Sequence, residues 1–502
     1  MAFVGYRSRS SPVALVWACG LLAFALLTLG LVHHESARRA RERSAAVPLR
    51  PVVLIDLAAN RAARGDGVFA ELEAWRAAAA ALGRPVDVFE GESLWDLAPE
   101  TYAVWVLPAQ ARLSEDDWLA LDSYLEGDGG AVLTGHSGLQ GEDGVELDRS
   151  ALVRLFPSER FADPGSDATL LRVVGRSPLV AGVEPGREME LGPSDHVLAT
   201  VSPGALDWQG EAGHSGALRG SAALHGRHRG APVAWLGFSV AGLVDPRAAA
   251  RIAGNALRFA AREPLLDLRP WPDGRPCAVL VDGSSAVDSS ADLCQVDVAH
   301  SGAADFDRLV RGGCRFATTA ASDNVLPEVL ARGGAKLVAI PEPRPRREAQ
   351  GAALLRELLA GYEVAERMGS VFSLRSDAGW RAAEGREALF ASVGQELGVR
   401  GAWFARPDEL AEWWLARTQV EARLEMLAPD GVRVVFANHG ESEALGLTAR
   451  IYVPDGADTP RLEAGRVFAR RPLLRLATDH TWIELVARPL DPGSEVSYTI
   501  RF

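Results

Sequence analysis

The sequence predicts an α/β protein of several domains, with an N-terminal transmembrane helix ahead of them and a β-sandwich at the end. Three observations predict it. Residues 13–32 form an apolar run without a charge. From about 51 to 418, short apolar runs alternate with stretches of helical period. From about 420, short β-branched runs bounded by turn signals take over.

The run Val13–Val32 would span roughly 30 Å as a helix, the thickness of a bilayer core. His33, His34 and Glu35 follow it, where a cleaved signal peptide would carry small residues. An uncleaved single-pass anchor is expected, with the membrane as a partner.

A chain of 502 residues exceeds what one core serves, so more than one domain follows. Its net charge of −13 argues against non-specific nucleic-acid binding, which needs clustered cations. Cys277, Cys294 and Cys314 show no C-x-x-C spacing, which excludes a zinc knuckle or a thioredoxin-type site. Buried thiols are the bland reading, and one disulfide among them is the alternative. No cofactor is indicated.

In the first soluble region, about 51–262, Val52–Ile55 reads as a buried parallel strand. Phe69, Leu72, Trp75, Ala79 and Leu82 recur at helical steps, and Gly83-Arg84-Pro85 stops that helix. Val86–Phe89 and Ala103–Leu107 read as strands. Ser114 with Asp117 forms a capping box opening a helix to about Leu125, and Ala131–Thr134 is the next strand. Gly135-His136-Ser137-Gly138 lacks the spacing of a nucleophile elbow, so a polar turn is expected. His214, His225 and His228 lack an accompanying carboxylate pattern and read as a loop or hairpin.

The stretch Gly130–Gly138, followed by Ser177–Val183, Gly230–Phe238 and Asn255–Phe259, resembles class I glutamine amidotransferase-like domains. That family's nucleophilic cysteine is missing from the turn, so the resemblance implies a non-catalytic version.

Trp271–Gly283, ending Val281-Asp282-Gly283, resembles the opening strand of polysaccharide deacetylases. Gly401–Trp414 is similar to their last strand and closing helix, and 316–319, 337–340 and 371–374 read as strands between. The resemblance implies a distorted (β/α) barrel of deacetylase type over 265–418. In the family's motif an aspartate base precedes a metal-binding aspartate; here Val281 stands in the first place and Asp282 in the second. The metal-holding histidine pair is missing, since the region holds His300 alone, and Arg375 stands where a late histidine is expected. The resemblance therefore implies a frame emptied of catalytic groups and without a metal. A vestigial sugar-binding cleft is expected around Asp282, Asp288 and Arg375. Asp292 and Asp297 read as solvated loop acids.

In the last region, 420–502, Val432–Ala437, Leu447–Val453 and Thr481–Val486 suggest an accessory β-sandwich. Trp482 and Tyr452 read as core residues, with sugar stacking as the alternative.

The resulting expectation is a membrane-anchored, deacetylase-like protein of cell-envelope or exported glycan metabolism, acting by glycan or partner binding. The rival is an active hydrolase of acetamide bonds in a polysaccharide. Arg7 and Arg9 before the anchor are outnumbered by Arg38, Arg39, Arg41, Arg43 and Arg50 after it, which favours a cytoplasmic body. Sugar-polymer chemistry favours the exterior face, and that face is the expectation.

Overall fold

The computed structural model describes residues 50–501 outside 59, 61–66, 109–111, 128, 136, 138–153, 157–160, 163–168, 174–176, 185–186, 193–199, 202–207, 212–217, 282–302, 320–325, 342–350, 375–385, 429–430, 454–459, 464–472 and 477–480. It is a mixed α/β structure with five sheets among the described residues.

The largest sheet has eleven strands. Val86–Phe89, Val52–Ile55, Val104–Leu107, Gly130–Thr134 and Ala231–Leu236 lie side by side and parallel. Side chains along these strands alternate between two cores, so nearly every position is apolar, with Asp87 on the outermost strand and Thr134 as the exceptions. Val52, Leu54, Val104, Val106, Val132 and Ala234 face one core, with Trp75, Ile252 and Phe259. Val53, Ile55, Trp105, Leu107, Ala131 and Trp235 face the other, with Trp118, Leu121 and Tyr124. Helices Gly67–Ala81 and Pro246–Ala260 cover the first face, and Glu115–Glu126 covers the second. The capping box at Ser114 and Asp117 is present.

The sheet then continues antiparallel. Leu218–His228 pairs with Ala231–Leu236 around a two-residue turn, Arg229-Gly230. Both turn residues have positive φ, 52° and 88°, as a primed hairpin turn requires. His225 and His228 are therefore hairpin residues, while His214 lies outside the described residues.

Two four-stranded antiparallel sheets form the C-terminal sandwich. One contains Val420–Ala428, Gly431–Asn438, Glu495–Arg501 and Arg461–Leu462. The other contains Thr448–Tyr452, Trp482–Val486, Leu473–Leu476 and Leu265–Leu268. Their inner faces share one core, in which Val434, Phe436 and Tyr498 meet Ala449, Ile451 and Ile483. The strand Leu265–Leu268 thus reaches across more than a hundred residues to pair with Thr448–Tyr452, Leu265 opposite Tyr452.

Between these bodies lie two small sheets. Val371–Ser373, Ala278–Leu280 and Trp403–Ala405 are parallel. Phe316–Thr319 runs parallel to Ala335–Pro341, which forms an antiparallel pair with Glu328–Arg332. Among the described residues the two sheets do not join into a ring, so the expected deacetylase-type barrel is corrected to two separate three-stranded sheets. The hairpin explains it: Glu328–Arg332 folds back on Ala335–Pro341, so that flank of the sheet is antiparallel, whereas a (β/α) barrel needs parallel neighbours throughout.

The expected anchor, 13–32, lies outside the described residues. Among the described residues no helix is long and apolar enough to cross a membrane. The expected single-pass anchor, exterior body and membrane partner are corrected to that statement: the described residues supply no membrane span. Cys314 is disulfide-bonded and Cys277 is a buried thiol outside any disulfide, so of the two readings the one disulfide replaces three thiols.

Candidate functional site

Asp282, Asp288 and Arg375 lie outside the described residues, as do Asp292, Asp297 and His300. The strands that lead toward Asp282 and Arg375 are described. They are hydrogen-bonded parallel neighbours, Leu280 opposite Ser373, and the Leu374 amide donates to the Leu280 carbonyl at 2.9 Å.

The histidines that crowd the sequence do not meet. His228 Nε2 lies 3.0 Å from Asp122 Oδ1, whereas the His225 ring sits edge-on to Phe259, centroids 5.2 Å apart. Three positions apart on a strand, their side chains leave opposite faces. Among the described residues no group of three His, Cys, Asp or Glu could hold a metal ion. Ser137 is a buried turn residue whose hydroxyl lies 2.7 Å from the carbonyls of Leu107 and Thr134.

A cleft of about 210 Å³ opens where the first sheet region, the linking strand and the sandwich converge. Ser177, Gly182 and Glu184 come from the connection between the strands Leu170–Arg172 and Glu188–Glu190, an antiparallel pair at the far end of the large sheet. Asp267 and Arg269 come from the end of the strand Leu265–Leu268, and Arg417 from the last turn of helix Pro407–Thr418. Trp482 and Met368 supply apolar wall.

The cleft's polar groups are fixed by backbone contacts. The Gly182 amide donates to Asp267 Oδ1 at 3.3 Å. Arg417 donates through Nε to the Arg269 carbonyl at 3.0 Å and through Nη2 to the Leu268 carbonyl at 2.9 Å. Its guanidinium lies over the Trp414 ring, 5.0 Å from the centroid. The floor is stiffened by Trp271, which donates to the Gly369 carbonyl at 2.8 Å, and Trp413, which donates to the Pro270 carbonyl at 2.9 Å. Trp482 is held edge-on by Tyr452, centroids 5.0 Å apart, and by the Arg450 guanidinium at 4.0 Å.

Arg269 is only 3% exposed, and among the described residues its nearest carboxylate, that of Glu484, stands at the outer limit of ion-pair distance. Glu484 Oε1 is 4.0 Å from its Nε, the Gly274 carbonyl is 3.5 Å from its Nη2, and Nε itself makes no hydrogen bond. Desolvation lowers the Arg269 pKa, opposed by Asp267 and Glu484. Desolvation also lowers that of Arg417, opposed by Asp267 and Glu184. Both nevertheless remain cations, because a guanidinium does not deprotonate in a protein.

A second polar centre sits at the carboxyl end of the parallel strands. Glu71 is buried and accepts from Trp75 Nε1 (3.0 Å), the Thr134 hydroxyl (3.2 Å), the Ser239 hydroxyl and the amide of Ala241 (3.0 Å). Its oxygens are filled by the protein, so this carboxylate ties a helix to two strand ends.

The sequence reading missed Arg269, Arg417, Asp267 and Glu184. The available signal was Asp267-Leu268-Arg269-Pro270-Trp271-Pro272, charges interleaved with rigid and aromatic residues before a strand. Glu71 carried a signal too, an acid one turn before Trp75 on the apolar helix face.

No family model matches the chain, and no curated protein matches it. Solved structures do. The GH42 β-galactosidase Gan42B from G. stearothermophilus is 10% identical over 91% of this chain and 41% of its own, with TM-score 0.29. The β-galactosidase of Bacillus circulans sp. alkalophilus is 10% identical over 91% and 42%, TM-score 0.28. A putative ThuA-like protein from Bacteroides uniformis is 14% identical over 43% of this chain and 92% of its own, TM-score 0.29. The chain thus spans about two fifths of the length of these β-galactosidases. At such scores the likeness establishes no shared activity. The expected kinship with polysaccharide deacetylases, the amidotransferase-like assignment and the cell-envelope deacetylase role are corrected, since no family model and no curated protein of either kind matches the chain.

Proposed function

We propose that the chain binds a small saccharide in the cleft between Gly182, Asp267, Arg269, Arg417 and Trp482. The carrying observation is the composition of its wall: carboxylates and guanidiniums around a space with one indole beside it. Sugar hydroxyls both donate and accept, so they pair with carboxylates and guanidiniums together, and the C–H face of a sugar ring packs on an aromatic ring. At about 210 Å³ the cleft is smaller than a typical site for a drug-sized ligand, which suits a ligand no larger than a small saccharide. The loops that frame it are pinned by main-chain hydrogen bonds, which lowers the ordering cost of binding. The organisation that suits this reading is an α/β unit over 51–262, a middle unit over 265–418 and a sandwich over 420–502.

Isothermal titration of the full chain with a panel of monosaccharides and disaccharides tests it. Binding that weakens about tenfold or more in Asp267→Asn is expected, the loss of one charged acceptor. A panel that gives no heat at millimolar ligand, with the protein folded, overturns the proposal.

A further inference from the structure

Resting on the saccharide reading above, we infer that the ligand is an acidic sugar and that Arg269 takes its carboxylate. A cation buried without a partner is costly, and folded proteins pair or hydrogen-bond such groups. Arg269 lines the cleft, is only 3% exposed, and has neither a carboxylate closer than 4.0 Å nor a hydrogen bond at Nε. Among the described residues its one side-chain hydrogen bond, to the Gly274 carbonyl, sits at the outer limit of 3.5 Å. Arg417, the other guanidinium of the cleft, differs. It donates two short bonds to carbonyls and is held over the Trp414 ring, so its position is set by the fold.

The local acids do not satisfy Arg269. One oxygen of Asp267 is engaged by the Gly182 amide, and Glu184 is exposed to water. Glu484 sits opposite Arg450 in the strand register and reaches Arg269 only at 4.0 Å. A guanidinium offers a planar fork that matches a carboxylate with two parallel hydrogen bonds. A uronic acid would place its carboxylate on that fork while its ring hydroxyls meet Asp267 and Arg417.

The test compares galacturonate and glucuronate with galactose and glucose, and with acetate, by titration against wild type, Arg269→Met and Arg269→Lys. Uronate binding about tenfold or more tighter than the matching neutral hexose is expected in wild type. That preference should vanish in Arg269→Met, uronate affinity falling to that of the matching neutral hexose in the same variant, and return in part in Arg269→Lys. A wild type that binds neutral hexose as well as uronate overturns the acidic-sugar inference and leaves saccharide binding standing. Uronate preference that survives in Arg269→Met overturns the role of Arg269. Acetate binding as tightly as uronate overturns the sugar component. If no sugar binds, both proposals fail. Should Arg269→Met not fold, the wild-type comparison and Arg269→Lys decide.

Discussion

The carboxylate of Glu71 lies 3.0 Å from the Ala241 amide nitrogen, 170 residues farther along the chain. The same side chain accepts the indole N–H of Trp75 from its own helix. One acid therefore joins a helix, the end of the strand Gly130–Thr134 and the turn after Ala231–Leu236. Glu71→Ala would leave the donors of Trp75, Thr134, Ser239 and Ala241 without their acceptor. A loss of about 3 kcal/mol is expected, read from urea denaturation, with Glu71→Gln losing less. A loss within about 0.5 kcal/mol of wild type would contradict the network.

Gly130 opens its strand directly beneath the end of helix Pro246–Ala260. A Cβ there would lie 1.9 Å from the Ala260 carbonyl oxygen, which is backbone and cannot rotate away. Gly130→Ala is expected to destabilise by about 3 kcal/mol, at the upper end for overpacking. Gly83, whose Cβ would meet nothing within 4 Å, tests steric bulk separately from conformation. Its φ of 67° predicts that Gly83→Ala costs only about 1 kcal/mol. Equal thermal shifts in the two variants would refute the distinction.

Asp245 caps helix Pro246–Ala260 by accepting the amides of Arg247 and Ala248, and it pairs with Arg187. Desolvation works to raise its pKa, but those amides and the guanidiniums of Arg187 and Arg247 outweigh it and hold the carboxyl below its usual 3.8. A depressed folded pKa contributes stability that is complete above the unfolded value and is lost as pH falls through the folded one. Asp245→Ala should therefore cost about 1 kcal/mol near neutral pH. The gap between mutant and wild type should close below pH 3.8. Melting curves at several pH values measure it, and a gap that persists in acid would rule out the cap's charge as its source.

Trp271 is fully buried against Trp403 and Trp414, and its indole N–H is bonded to the Gly369 carbonyl. Trp271→Phe removes that donor and leaves space. A loss of about 2 kcal/mol is expected from the hydrogen bond and the cavity together. Fluorescence-detected unfolding gives the number, and a variant as stable as wild type would refute the contribution of this contact.

Local signals made much of the fold legible. The strands Val52–Ile55 and Val104–Leu107 fall where their apolar runs place them, because burial on both faces demands unbroken hydrophobicity. The Ser114 cap was readable because its partner, Asp117, is three residues away. What failed was non-local. Nothing in Leu265-Leu266-Asp267-Leu268 announces that its partner is Thr448–Tyr452. The resemblance drawn for 265–418 rested on two end motifs, whereas the order of strands between them decides whether a sheet closes. The cleft arginines escaped notice because exposure is the default for arginine, and only tertiary packing buries Arg269.

The pairing of Leu265–Leu268 with Thr448–Tyr452 sets a timetable for the chain during its synthesis. The first strand leaves the ribosome about 180 residues before its partner, a wait of roughly 10–40 s at ordinary elongation rates. Through that interval a half-apolar segment has no sheet to join. Its charged and proline-rich neighbourhood, Asp267 through Pro272, then serves as a gatekeeper against premature association. The arginine that lines the finished cleft would, on this account, first protect the unfinished chain.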